Sequence, residues 1–277
     1  MKLLLQVSDT HFGTAQAPVV KALRELARAL KPDVLVLSGD ITQRAEVTEF
    51  QEARAFCNSL QIPQMLSIPG NHDIPLFNIF GRLLNPYRAY RQAFGSEDGN
   101  RIENTFFQVI GVNTTRWWRH KNGEVSSEQV ARVAKQLRGG LAGQLRVVVV
   151  HQPVYVLKAE DEHDRLRGWE PAVRAWALAG ADIVMGGHIH LPYARELTAV
   201  IPSLGRRLWC VQAGTAVSSR IRSGVSNSVN VLRYAGAGAD GERRQCELER
   251  WDFRQRAGQF ELGQKTQMVL GVDGVLT

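Results

Sequence analysis

The sequence is short of cysteine, of long apolar runs and of any glycine-rich phosphate loop, and each shortage removes a class of protein. Its three cysteines, Cys57, Cys210 and Cys246, are odd in number and lack metal-type spacing. They exclude a disulfide frame and a thiolate zinc site, and read as reduced thiols of a cytoplasmic protein. No stretch approaches the roughly 18 apolar residues that a membrane span needs, so no transmembrane segment is expected. The opening MKLLLQVSD is too short for a signal-peptide core, and cleaving it would remove a core strand. No G-x-x-x-x-G-K-[ST] loop is present. The formal charge of +7 over 277 residues is dispersed. It leans towards anionic substrates, and with no long basic helix or added domain no stable nucleic-acid partner is expected.

What the chain has instead is a repeated device. Five short apolar runs each end in residues able to bind a metal. LLLQVSD ends at Asp9, with His11 two further on; DVLVLSGD ends at Asp40; QMLSIPGNHD carries Asn71 and His72; RVVVVH ends at His151; DIVMGGHIH carries His188 and His190. Runs of this length, rich in Val, Leu and Ile and bounded by Gly or Pro, read as strands buried on both faces. In α/β sheets ligands bind beyond the carboxyl ends of such strands, so five strands would deliver these side chains to one rim.

Between the runs lie helical stripes, at 18–30, about 46–60, from Ser126 or Ser127 to about Leu137, and near Trp169 to Ala179. After Tyr193 the segments RRLWCVQAGT, NSVNVLRY and QCELERWDF suggest strands joined by Gly-rich turns, without helices between them. These predict a second, largely antiparallel sheet packed on the first. The expected architecture is α/β, with two packed central sheets flanked by helices, in one domain over 1–262. Segments 74–95 and 114–123 interrupt the alternation and are candidate caps over the rim. Residues 263–277 stay unplaced.

Two Asp, one Asn and four His are too many ligands for one tetrahedral zinc. They suit two ions sharing a carboxylate, and Asp40, at a tight Gly-Asp turn, suits the bridge. Mixed nitrogen and oxygen ligation favours Mn, Fe, Zn or Co over a magnesium-only site. Two ions about 3.5–4 Å apart clamp a phosphoryl group and lower the pKa of a bridging water. A single His or Asp at a strand end is usually only a satisfied polar residue, but five of the seven histidines fall in these motifs.

Asp9-Thr-His11, Gly39-Asp40, Gly70-Asn71-His72-Asp73, His151 and Gly187-His188-Ile-His190, in that order, resemble the calcineurin-like metallophosphoesterase superfamily. Within it, the chain is more similar to the bacterial cyclic-nucleotide phosphodiesterase-like branch than to the protein phosphatases. The resemblance covers residues 9–190 and implies the family's four-layer α/β/β/α sandwich. It also implies that Asp9, His11 and His190 hold one ion, that Asn71, His151 and His188 hold the other, and that Asp40 bridges. His72 would contact the scissile phosphate and protonate the leaving oxygen, while Arg44 keeps the Gly-Asp-x-x-x-Arg spacing and would grip a phosphate oxygen. Where protein phosphatases carry the Asp that orients the general acid this chain has Gln43, and where relatives often have a second His it has Gln152.

The function expected is dinuclear-metal phosphoester hydrolysis through a metal-bridging hydroxide, on cyclic nucleotides or related phosphodiesters. A phosphomonoesterase or nucleotide-lipid pyrophosphatase is the alternative, and a non-catalytic scaffold of the same fold the different class. Trp117 and Trp118, with Arg82, Arg88, Arg91, Arg116 and Arg119, would shape a small, nucleotide-like phosphorylated substrate if the caps overhang the ions. Asp73 is expected to brace its turn, and His120 and His163 to be solvated.

Overall fold

The computed structural model describes residues 1–76, 79–119, 121–236 and 244–271. Strand and helix alternate from the start: β1 (Lys2–Val7), α1 (Ala17–Leu30), β2 (Val34–Ser38), α2 (Val47–Ser59) and β3 (Gln64–Ile68). Two short helices, α3 (Ile79–Leu84) and α4 (Arg88–Phe94), precede β4 (Arg101–Glu103) and β5 (Phe107–Gly111). Then come α5 (Ser127–Arg138), β6 (Leu145–Val149), α6 (Trp169–Leu178) and β7 (Ile183–Gly186). The last strands are β8 (Tyr193–Glu196), β9 (Trp209–Gln212), β10 (Ser228–Tyr234), β11 (Gln245–Arg254) and β12 (Gln259–Val269).

The period-two geometry of a strand explains the layers. On β1 and β2, Leu3, Leu5, Val7, Leu35 and Leu37 point to an outer cluster completed by α1 and α2. Leu4, Val34 and Val36 point the other way, onto Val109, Val147, Val149 and Met185 of the facing sheet. On that sheet Ile110, Val148 and Val184 turn outward to meet α5 and α6, where Trp176 is fully buried. The result is helices, sheet, sheet, helices, as expected. α1 buries Val19, Ala22, Leu23, Leu26 and Ala27, one stripe at helical spacing, and starts with a proline in its first turn. α5 begins at Ser126, whose hydroxyl accepts from the Gln129 N–H in a capping box.

One expectation is corrected. The strands after Tyr193 do not form a sheet of their own. One sheet runs β12-β11-β10-β1-β2-β3 and the other β4-β5-β6-β7-β9-β8, both mixed. β10 pairs antiparallel with β1 and extends the first sheet, whereas β9 runs parallel beside β7 in the second. The parallel strands are thus divided between the two sheets. Periodicity identifies a strand but not its neighbour, which is why the alternation alone could not separate them. β12 carries the chain to Val269, beyond residue 262 where the domain was expected to close; 272–277 lie outside the described residues.

Candidate metal centre

The carboxyl ends of β1, β2, β3, β6 and β7 meet at one rim, and the backbone there is bent hard to turn side chains inward. Asp9, His11, Asp40, His188 and His190 all have positive φ, at 52°, 40°, 47°, 73° and 56°. None is glycine, and a left-handed conformation costs such residues about 1 kcal/mol or more each. Glycine is kept where space demands it: a Cβ on Gly39 would strike the His151 ring, and one on Gly187 would strike Asp9 and Ser8. The turns are locked across strands by Asp9 N–H to Gly39 O at 3.0 Å and His11 N–H to Asp40 O at 3.0 Å.

Two ligand groups result. Asp9, His11, Asp40 and His190 bring donor atoms within 4.8 Å of one another, as do Asp40, His151 and His188. Asp40 belongs to both. One of its oxygens lies 3.3 Å from His151 Nε2 and accepts the His72 N–H at 2.8 Å; the other lies 3.8 Å from His11 Nε2. Two ring nitrogens, His11 Nε2 and His190 Nε2, face each other at 3.3 Å, and His190 Nε2 is 3.3 Å from Asp9. Asn71 begins the 3₁₀ turn Asn71–Asp73, directly after Gly70. Asn71 Oδ1 and His188 Nδ1 are buried without a hydrogen-bond partner. Each such atom costs about 1–3 kcal/mol unless something satisfies it. Orphaned lone pairs beside two carboxylates fit cations.

Supporting contacts orient the rings. His151 Nδ1 donates to Ser38 O at 2.9 Å, which turns Nε2 towards Asp40. His188 Nε2 lies 3.5 Å from the Asp164 carboxylate, leaving Nδ1 inward. Asp73 accepts the N–H groups of Ile41, Thr42 and Gly70 and the Thr42 hydroxyl, bracing its turn as expected. His72 Nδ1 donates to the Gln43 carbonyl at 2.9 Å. The Asp that protein phosphatases place here is therefore replaced by a backbone oxygen, which holds the ring and leaves Nε2 available.

Electrostatics follow from burial and charge. Burial would raise Asp40, but His151 beside it holds the carboxyl well below the usual range. Asp9 behaves likewise, burial opposed by His190. Burial would lower His151, yet Asp40 raises it to about 9. For His11 burial wins and pushes the ring down to about 3. Asp73 is raised to about 6, first by burial and then by Asp40.

The remaining expected residues spread out. Arg44 is exposed, and its guanidinium has no partner among the described residues. His163 is 68% exposed, and His120 lies outside the described residues. The two cap segments are tied together: Arg82 donates to Pro75 O, Trp117 O and Arg119 O. Gln152 accepts from the Thr114 hydroxyl at 2.6 Å and donates to Lys121 O, strapping segment 114–123 beside His151. Arg88 is exposed, Arg91 pairs with Glu97, and Arg116 bonds Gln129. Sequence reasoning missed Asp164, the strap made by Gln152, and Arg220, which donates to Gln43 Oε1 at 3.0 Å. Arg220 lies in the loop after β9, eight residues past Gln212, and no local sequence pattern signalled it.

The chain matches the calcineurin-like phosphoesterase family over residues 2–192. It is 38% identical over 84 residues to the glycerophosphodiester phosphodiesterase GpdQ of Enterobacter lignolyticus, covering 26% of this chain and 29% of that one. It is 25% identical over 169 residues to a probable GpdQ of Arcobacter nitrofigilis, covering 56% and 58%. The chain thus aligns with less than two-thirds of either relative. In fold it is similar to the purple acid phosphatase PPD1 of yellow lupin (TM-score 0.66, 13% identity, 97% of this chain and 53% of that one). It is also similar to a dimetal phosphatase from Danio rerio (TM-score 0.59, 11% identity, 97% and 98%). The family match starts in β1 and ends just past His190, enclosing both ligand groups, and the family and those groups together imply a dinuclear metal site. The chain belongs to the calcineurin-like phosphoesterases.

Proposed function

We propose that the protein hydrolyses small organic phosphodiesters at a pair of metal ions held by Asp9, His11 and His190 on one side, Asn71, His151 and His188 on the other, and Asp40 between. The observation that carries this reading is the sharing of Asp40 by two ligand groups, with His72 hydrogen-bonded to the same carboxylate. Bound ions would supply a water of lowered pKa and offset the substrate's charge, and Mn, Fe or Zn suits the mixed donor set. The protein's own part is positional. Asp40 keeps the ions adjacent. His72, fixed at Nδ1, would donate from Nε2 in its imidazolium form to the oxygen that leaves, returning to the neutral ring. Arg44, unpaired at the surface, is free to meet a phosphate oxygen.

Glycerophosphodiesters are the leading substrate class, because both curated relatives carry that activity in their names. Cyclic nucleotides are the second reading, favoured by Trp117 and Trp118. These rings are 38% and 56% exposed and stand edge-to-face at 5.5 Å, available to a flat base. The deciding experiment is a panel of glycerophosphodiesters, cyclic nucleotides, monoesters and diphosphate-linked lipids on metal-reconstituted protein. Highest kcat/KM on glycerophosphodiesters is expected. Highest kcat/KM on monoesters would refute a diesterase.

A further inference from the structure

Three strips of chain lie side by side at the open edge of the metal centre. Phe12 bridges Thr42, Gln43 N–H donates to Phe12 O at 2.9 Å, and Ala15 bridges Ser218. Ser219 N–H donates to Thr14 O at 3.0 Å. The strip after β9 is therefore laid against the segment that follows His11, which in turn lies against the segment that follows Asp40. Arg220 sits at the end of that strip with its backbone pinned twice: its N–H donates to Ser218 Oγ at 3.1 Å, and its carbonyl accepts from Thr215 Oγ1 at 2.7 Å. Its guanidinium reaches Gln43 Oε1 at 3.0 Å, and the carbonyl of the same Gln43 holds His72 Nδ1. One residue thus tethers both side chains.

Where substrate enters is set by exposure. Asp9, His11 and His151 are sealed, whereas the His190 side chain is 15% exposed and Asn71 and His72 are half-buried. Arg220, also half-buried, belongs to this edge. Apart from Arg44, which is exposed, the other arginines considered at the rim are engaged. Arg222 pairs with Glu160 and Asp161, Arg119 with Glu124, and Arg82 is taken up by three carbonyls. Arg220 touches only a neutral amide. Among the described residues no carboxylate neutralises it, so a positive charge is held and left uncompensated against Gln43, the residue whose carbonyl holds His72.

We propose that Arg220 binds the phosphoryl group of the substrate at this edge, with Gln43 as the positioning residue that aims it. The proposal rests on the phosphodiesterase reading for its context but not on which alcohols flank the phosphate. A guanidinium offers two parallel donors to a phosphate's oxygens, and one of its nitrogens stays with Gln43.

Inorganic phosphate, titrated calorimetrically into the metal-loaded full chain, isolates this step from turnover, and bis(p-nitrophenyl) phosphate supplies KM and kcat. Arg220→Ala should weaken phosphate binding and raise KM by about ten- to a hundred-fold, the loss of a charge-assisted pair, with both metals retained. Arg220→Gln removes the charge and keeps an amide donor on a shorter side chain; it should show the same loss, and Arg220→Lys, which restores the charge, a partial recovery. Gln43→Ala should raise KM less than Arg220→Ala. Phosphate affinity within two-fold of the parent in Arg220→Gln overturns the proposal, as does a loss that tracks metal content. Substrate-panel failure on glycerophosphodiesters would leave these phosphate measurements untouched, so the two readings fail separately.

Discussion

His72 is held at one nitrogen and free at the other, which defines what its loss should do. Nδ1 is committed to the Gln43 carbonyl, so a proton delivered to substrate comes from Nε2. His72→Ala should lower turnover by about 10²–10⁴-fold on diesters with poor leaving groups, the usual worth of general-acid help. It should do much less with nitrophenolate leaving groups, which need no proton, and should leave metal content intact. Equal losses on both kinds of diester would remove the acid role. A second residue-scale consequence concerns His151. In the metal-free chain Asp40 keeps this ring protonated up to about 9, against burial. That ion pair stabilises the metal-free fold fully below the ring's ordinary pKa of 6.5, and its contribution is lost as pH rises through about 9. A ligating imidazole must be neutral, so metal displaces the proton. Metal uptake should therefore release protons, and apparent affinity should climb between pH 6.5 and about 9. Calorimetry in buffers of different ionisation enthalpy measures the protons directly. Uptake with none released near neutral pH would contradict the assignment.

At the scale of elements, the two segments expected to act as caps are fastened to each other, since Arg82 ties α3 to the carbonyls of Trp117 and Arg119 and Gln152 straps the second segment beside His151. Changing the tryptophans should then alter choice of substrate rather than chemistry. Trp117→Ala and Trp118→Ala are expected to change the ratio of kcat/KM for a cyclic nucleotide to that for a small nitrophenyl diester several-fold, at constant metal content. Unchanged ratios in both variants would leave the pair as loop anchors. These elements also show why some of the site was legible and some was not. Asp40 and His151 each terminate an unbroken apolar run, so the run announces the ligand. Arg220 lies eight positions past Gln212, the last residue of β9, in a loop with no apolar periodicity, and only the pairing of that loop with residues 14–16 brings it to the rim. Gln43 was visible as a departure from the phosphatase pattern. That its backbone would replace the missing carboxylate depended on a three-dimensional turn.

For the molecule as a whole, the division of parallel strands between two sheets matters most. Asp9, Asp40 and Asn71 follow β1, β2 and β3 of one sheet, whereas His151 and His188 follow β6 and β7 of the other. The four-layer order could be read from apolar runs with helical stripes between them, but sheet membership depended on long-range pairing that no local pattern encodes. Because the proposed ligands come from both sheets, bound metal would stabilise their packing as well as the rim. Chelation should lower Tm by several degrees, since a ligand at a hundred times its Kd contributes about 2.7 kcal/mol. A Tm insensitive to chelator and to added metal would show that the sheets hold together without it. The left-handed backbone at Asp9, His11, Asp40, His188 and His190 carries a further implication. Glycine would sit more comfortably at each of these positions and would bind nothing. Replacing one of them with glycine would relieve about 1 kcal/mol of backbone strain, but at Asp9 and Asp40 it would also remove the acceptor of a neighbouring N–H. The candidate ligands are thus held in a backbone conformation that the fold tolerates rather than prefers, because cross-strand hydrogen bonds lock their turns in place.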